Sequence, residues 1–349
     1  MKALVLVADK KLEYREVPMP VKHGRDPVLV RVTASGICGS DMTRAFHGGA
    51  YHYPLVMGHE FAGIVDDPGT ASGFRKGDAV AVFPLLPDFD MPQCQIGEYA
   101  RSTGYDYLGS RRDGGFAEFV YVPEFNLFRI PDHVDIVHAA LTEPCAVALH
   151  GVSRLDVTPS NTAAVFGGGP VGNMVAQWLR VRGARDVIVV DIDREKLKLA
   201  KEMGFSACNP DEGDPVEQIR ELTGGGADCV VEAVGLPQTF VQAIQAAGPG
   251  GQVVFLGNIH GEFRLGEKDF SSILRKELRI SGTWNSKITP RGNDEWSAVL
   301  SHLDRDIRVE KLISHTPPLS EGVEVFERMA SGAERYGKVI FRINMEKGN

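Results

Sequence analysis

The sequence predicts an α/β protein in which a β-rich, barrel-like domain is interrupted by an inserted domain with a doubly wound parallel sheet. Three observations carry that expectation. The chain has 349 residues, enough for two domains and more than one core. Near residue 138 its texture changes from short β-type runs to regular alternation of apolar strands with helical patterns. Near residue 285 the alternation stops and a mixed pattern returns. The expected domains are therefore residues 1–137 plus 285–349, and residues 138–284.

The elements follow in order. "MKALVLVADKKLEYREV" opens with six apolar residues before charges return, so it reads as a first strand rather than a secretion signal. "PVLVRVTAS", "FAGIVDD", "DAVAVF" and "AEFVYV" are further short strands, punctuated by glycine and proline in "RKGDAV" and "RDGGFAE". Then "TAAVFG" is followed by "PVGNMVAQWLRVRG", and "DVIVVDID" by "REKLKLAKEMG". "ADCVVEAVG" is followed by "PQTFVQAIQAAG" and then "QVVFLG". Such alternation makes a parallel sheet with right-handed crossovers. After "LRISGTWNS" come a helical "NDEWSAVLSHLDRD" and a last strand, "GKVIFRI", returning to the first domain.

Composition excludes several classes. Net charge is −8, from 46 acids against 38 bases, with no basic stripe of the kind nucleic acid requires. No window holds eighteen consecutive apolar residues, so no membrane span is expected. The five cysteines are odd in number and form no CxxC pair, which points to free thiols in a reducing, cytoplasmic compartment.

The inserted domain carries a dinucleotide signature. "GGGPVG" supplies a GxGxxG at Gly167, Gly169 and Gly172, with Pro170 and Val171 opening a helix. The motif alone is weak, but here a strand precedes it and a helix follows it. Gly167 permits the tight turn, Gly169 lets backbone approach a pyrophosphate, and Gly172 permits close helix–sheet contact. The helix N-terminus aims free N–H groups at the phosphates. Asp191 closes "VIVVD", 22 positions after Gly169. An acid there accepts from ribose hydroxyls and disfavours a 2′-phosphate, so NAD is expected over NADP. Arg194 lies nearby, either softening that preference or simply opening a solvated helix. "EAVG" with Val234 and "LGNI" with Gly257 end the next two strands and border the cofactor crevice of such a fold.

The β-rich domain holds a candidate metal set. Cys38 stands in "GICGSD", His59 and Glu60 follow in "GHEFAG", and Glu143 comes much later in "TEPCAVALH". A thiolate, an imidazole and a carboxylate suit zinc with an open position. Spacing alone leaves the matter open: Cys38 is equally readable as a small buried hydrophobe and His59 as a satisfied loop histidine.

"GICGSD", "GHEFAG", "GGGPVG" and the interrupted layout together resemble the zinc-dependent medium-chain dehydrogenases over essentially the whole chain. "YDYLGSRRDGGFAEF", "TEPCAVALHG" and "LRKELRISGTWNS" resemble the polyol-dehydrogenase branch. The resemblance implies a GroES-like catalytic domain, a Rossmann domain, and an active site between them. It implies Cys38 and His59 as zinc ligands, Glu143 as the carboxylate, directly or through water, and Glu60 as an alternate ligand. It also implies hydride transfer from a secondary alcohol to NAD, with Ser40 taking the hydroxyl proton. Ser40 is also readable as a helix cap.

The sequence departs from the family in two places. A structural-zinc lobe carries four cysteines, but Asp88, Met91, Cys94 and Ser102 stand at those positions, so no structural zinc is expected. Met91, Ile96 and Tyr99 are expected to pack that lobe instead. Thr43 replaces a histidine that ends the proton relay in some relatives. The expected substrate is a polyol, sugar alcohol or sugar-alcohol phosphate. Arg44, Arg111, Lys287 and Arg291 are candidate phosphate partners, and His47, His52, Tyr53 and Trp284 are candidate pocket residues. Alternatives are another secondary alcohol, such as an amino-cyclitol or 2-hydroxy compound, or a zinc-free nicotinamide-binding reductase or binding protein. The resemblance further implies a homodimer or homotetramer.

Overall fold

The computed structural model describes residues 1–71, 73–289 and 294–344. The chain divides into two compact units, residues 1–144 with 287–349, and Cys145–Ser286. The first division falls inside the helix Thr142–Val152, a few residues beyond position 137.

The first unit is built on a seven-stranded sheet. Its path runs Leu127–Arg129, Ala79–Val82, Glu60–Asp67, Pro27–Gly36, Lys338–Arg342 and Ile313–His315, with Phe119–Pro123 also on Pro27–Gly36. Pro27–Gly36 is buried along nearly its whole length, with Val28, Val30, Val32 and Ala34 on one face and Arg31, Thr33 and Ser35 on the other. Its antiparallel register sets Gly36 opposite Glu60. On its other side the C-terminal strand sets Ile340 opposite Gly36, which brings Lys338 alongside. A smaller sheet orders Lys11–Glu16, Lys2–Ala8 and Leu55–Val56. Leu4, Leu6, Val30, Phe61, Phe116, Phe326 and Phe341 pack into one core between these layers. The Phe116 and Phe341 rings meet edge to face at 5.2 Å.

The second unit is a six-stranded parallel sheet. In space its strands run Ser206–Cys208, Asp186–Val190, Thr162–Phe166, Ala227–Glu232, Ala247–Phe255 and Arg279–Gly282. Numbered along the chain this is 3-2-1-4-5-6, the doubly wound order of dinucleotide-binding sheets. Thr162–Phe166 is buried at every position, so its continuous apolar run reads as a two-sided core strand. The order reverses between Thr162–Phe166 and Ala227–Glu232. Both strands lead at their carboxyl ends into the glycine-bearing loops, "GGG" and "AVG".

Candidate functional site

The metal candidate is assembled from two segments of the first unit. Cys38 precedes the helix Gly39–Phe46, and its backbone N–H donates to Asp41 Oδ2 at 3.0 Å. Asp41 in the first turn also complements the positive helix terminus. His59 and Glu60 sit at the start of strand Glu60–Asp67. The ligand atoms of Cys38, His59 and Glu60 lie within 4.8 Å of one another, and the last two residues are buried. Gly36 makes room for this: a Cβ there would stand 2.4 Å from Glu60 Oε2.

Charges around the cluster are arranged in pairs. Lys338, buried on the C-terminal strand, donates to Glu60 Oε1 at 2.5 Å and to the Ile37 carbonyl at 3.0 Å. His59 Nδ1 faces Asp41 Oδ1 at 3.4 Å. Burial disfavours an imidazolium at His59, yet Asp41 and Cys38 outweigh it and hold the pKa well above the usual histidine value. Arg44 donates from Nη1 to both Ser40 Oγ at 3.0 Å and Asp41 Oδ1 at 3.1 Å. Glu143 lies outside the 4.8 Å cluster and accepts from the Tyr107 hydroxyl at 3.0 Å. Burial pushes its carboxyl up to about 7, against the pull of His59 and with a further push from Glu60.

These residues fit a divalent ion. Soft sulfur, borderline nitrogen and hard oxygen together suit zinc. Asp41 faces Arg44 and His59, Glu60 faces Lys338, and Glu143 is the buried acid left with its proton affinity raised. A divalent ion beside the cluster would favour the carboxylate form of Glu143.

The dinucleotide candidate is built from backbone in the second unit. Gly167 has φ +106°, a conformation that favours glycine. A Cβ at Gly172 would meet the Gly167 carbonyl oxygen at 1.8 Å, whereas one at Gly169 would meet nothing within 4 Å. Gly172 therefore closes the helix onto the turn, and Gly169 leaves open space before helix Pro170–Val181. Val171 follows Pro170 in its first turn. Asp191 accepts from the Gly168 N–H at 2.8 Å and the Asp193 N–H at 2.8 Å, with Lys196 Nζ at 3.6 Å. Buried Glu232 accepts from the N–H groups of Val234 and Gly235 and from the Thr239 hydroxyl, fixing the turn after its strand. A Cβ at Gly257 would stand 2.5 Å from Glu232 Oε2. Arg194 points elsewhere: it is largely exposed and pairs with Glu212 at 3.4 Å.

Several expectations are corrected. Ile96 does not pack the lobe; it is 76% exposed. Tyr99 is buried there with Cys94, and its ring meets Phe89 at 6.1 Å and Phe125 at 5.5 Å. Met91 is half-buried. Lys287 is engaged with Glu98 at 2.7 Å. His52 is tied to the carbonyls of Pro54 and Arg111. Trp284 is 61% exposed in the second unit, beyond the last parallel strand. Arg291 lies outside the described residues. A cavity of about 550 Å³ in the first unit is lined by Arg111, His52 and the N-terminal hairpin but not by Cys38 or His59, so it is separate from the cluster.

The sequence pattern missed Asp41, Lys338 and Tyr107. Asp41 ends "GICGSD", and its place three residues after Cys38 in a helix start was the available signal. Lys338 and Tyr107 had none, because their partners are remote in sequence.

Comparison with known proteins agrees with this geometry. Residues 24–132 match the alcohol dehydrogenase GroES-like domain, and residues 170–305 match the zinc-binding dehydrogenase model. Galactitol 1-phosphate 5-dehydrogenase of Escherichia coli K12 is 35% identical over 97% of this chain and 99% of its own. The crystal structure of the E. coli enzyme superposes with a TM-score of 0.91 at 34% identity, covering 98% of this chain and all of that one. L-threonine 3-dehydrogenase of Shewanella baltica OS185 is 30% identical over 97% of this chain and 99% of its own. A zinc-binding dehydrogenase structure from Sinorhizobium meliloti 1021, bound to NADP, has a TM-score of 0.89 at 33% identity, covering 98% of each chain. With both domains, their order and the glycine loop in place, this chain belongs to the zinc-dependent medium-chain dehydrogenase family and is an oxidoreductase of that family.

Proposed function

We propose that this protein oxidises a secondary alcohol of a polyol, sugar alcohol or sugar-alcohol phosphate to a ketone, using NAD and one zinc ion. The buried convergence of Cys38, His59 and Glu60 carries the reading. A zinc ion held there would lower the pKa of the substrate hydroxyl, and a bound nicotinamide would be the hydride acceptor.

The chain's own residues do the rest. Cys38 and His59 would hold the ion, with Glu143, outside the 4.8 Å cluster, as the carboxylate directly or through water, and Glu60 as the alternate ligand, kept back by Lys338. Asp41 Oδ1 faces Nδ1 of the His59 imidazole at 3.4 Å, which would leave Nε2 for the metal. Ser40 Oγ would accept the alcohol proton on one lone pair while passing its own hydroxyl proton on to water; the Arg44 N–H fills the other lone pair. Thr43 donates to the Gly39 carbonyl inside its own helix, so water completes the relay in place of a histidine. The N–H groups around Gly169 cradle the pyrophosphate. Asp191 meets the ribose hydroxyls, which favours NAD; Lys196 beside it lessens the penalty for a 2′-phosphate.

No lobe zinc is proposed, because Cys94 is the one thiol there and it is buried beside Tyr99. The five cysteines are free and four are buried, which supports a reducing, cytoplasmic setting. None of the described helices is long and apolar enough to cross a membrane. A homodimer or homotetramer is supported by the edge strand Arg279–Gly282, which pairs on one side, and by Phe270, Leu274 and Trp284 exposed near it in sequence. The likeness to L-threonine 3-dehydrogenase supports a second reading, an amino or hydroxy compound as the alcohol.

A panel of polyols, polyol phosphates and amino alcohols, read by NADH absorbance, tests the proposal. Turnover with polyols or their phosphates is expected, and turnover confined to amino alcohols would move the assignment to the second reading.

A further inference from the structure

We propose that Tyr107 is the positioning residue for Glu143: its hydroxyl takes one carboxylate oxygen and leaves the other for the metal. The inference rests on the dehydrogenase reading above and adds to it what holds the one acid that lies outside the cluster of Cys38, His59 and Glu60.

Packing explains the Tyr107 ring but not its hydroxyl. The ring meets the His59 imidazole edge to face at 5.9 Å and the Tyr105 ring at 6.3 Å. A phenylalanine would fill that space as well. The hydroxyl instead donates to Oε1 of buried Glu143 at 3.0 Å. Among the described residues it is the one hydrogen-bond donor to that carboxylate. Both groups are buried, and each would be costly to bury without the other. With Oε1 occupied, Oε2 is the oxygen left for an ion or for a water on it.

The hydroxyl is placed by a rigid support. Tyr107 ends the short strand Asp106–Tyr107. Its carbonyl accepts from the N–H groups of Arg111 at 2.9 Å and Arg112 at 3.1 Å, which closes a tight turn. That turn is docked on the segment that carries His59. The Gly115 N–H donates to the Gly58 carbonyl at 2.7 Å. A Cβ at Gly109 would stand 2.3 Å from the same oxygen and 2.9 Å from the His59 backbone nitrogen. No side chain fits between the two segments, so Tyr107 keeps a fixed place against His59.

The two buried glutamates differ in the donor they face. Glu60 meets the Lys338 ammonium, whose positive charge offsets its own and would repel an ion nearby. Glu143 meets a neutral hydroxyl, which orients the carboxylate without offsetting the charge that a divalent ion would meet. That difference makes Glu143 the resident carboxylate and Glu60 the alternate. Tyr107 also gives the lobe a part in the site. Strand Asp106–Tyr107 pairs with Leu85–Leu86, and the two flank the lobe that lacks the structural-zinc cysteines. The base of that lobe therefore supports the Cys38–His59 site.

The test uses the full chain loaded with zinc, and with cobalt(II) as a spectroscopic stand-in. Tyr107→Phe keeps the ring and removes the hydroxyl. Its zinc affinity in a chelator competition is expected to fall about 10-fold, and the visible absorption of the cobalt form is expected to shift. NADH affinity should be unchanged. Glu143→Gln should cost more zinc affinity than Tyr107→Phe. Adding Tyr107→Phe to it should cost nothing further, because the hydroxyl acts through that carboxylate. A tyrosine with only a packing role would leave zinc affinity and the cobalt spectrum of Tyr107→Phe unchanged, and that result would overturn the proposal. Additive losses in the double variant would overturn it too. A wild type that binds neither ion would overturn the dehydrogenase reading beneath it. A metal-binding wild type that Tyr107→Phe matches in both readouts would overturn this inference alone.

Discussion

The two candidate sites are built in opposite ways. The glycine loop of the second unit is contiguous, from Gly167 to Gly172, and what it presents is backbone. The cluster of the first unit draws Cys38 from one segment and the adjacent His59 and Glu60 from another, and what it presents is side-chain charge. The loop is constrained by steric exclusion: a methyl group at Gly172 has no space. The cluster is constrained by charge balance, which depends on Asp41, Glu143 and a lysine 278 residues from Glu60. Backbone sites are therefore local in sequence, whereas charged buried sites are solved by partners from anywhere in the fold.

If the two sites are separately built, each can be broken alone. The largest effect is expected for Cys38→Ser, which should lose the metal and lower turnover by at least about a thousandfold. NADH binding, read by fluorescence, should persist; its loss would mean that the sites are not separable. Gly172→Ala is the reciprocal test. The overlap of its Cβ with the Gly167 carbonyl predicts a loss of about 3 kcal/mol in unfolding free energy and weakened NADH binding, with metal content retained.

A smaller effect sharpens the role of charge around the cluster. Asp41→Asn keeps the shape but removes the carboxylate facing His59, and should weaken zinc affinity about 10- to 100-fold in a chelator competition. Unchanged affinity would remove Asp41 from the metal's support.

The smallest effect lies away from both sites. His138 Nδ1 and Asp304 Oδ1 are 2.8 Å apart, both partly buried. The hydrogen bond to Asp304 raises the His138 pKa above 6.5, and Asp304 is lowered despite its burial. The histidine's contribution is thus complete below its unfolded value and is lost as pH rises through its higher folded one. The aspartate's is present above its unfolded value and is lost as pH falls through its lower folded one. His138→Gln should cost about 1 kcal/mol near pH 5.5 and clearly less at pH 8.5, by chemical denaturation.

The same contrast explains what could be read from the sequence. The parallel sheet, its glycine loop and Asp191 were legible because strand period, turn chemistry and helix start all act within a few residues. The cluster was legible by resemblance, since nothing in the spacing of Cys38, His59 and Glu143 fixes their approach. Lys338 was hidden because the register that brings it to Glu60 arises when the last strand pairs with Pro27–Gly36. Ile96 was misread because the lobe is packed by the rings of Phe89, Tyr99 and Phe125, and Phe125 lies outside the stretch considered. Arg194 follows Asp191 closely in sequence, yet its long side chain reaches Glu212 instead.

The central claim is that one buried ion completes the charge balance around Cys38 and His59 and that the lobe around Cys94 holds none. Elemental analysis of the purified, metal-replete protein tests it most directly. One zinc per chain, lost in Cys38→Ser and retained in Cys94→Ser, is the predicted result. No bound metal, or two zinc ions per chain with one lost in Cys94→Ser, would contradict it.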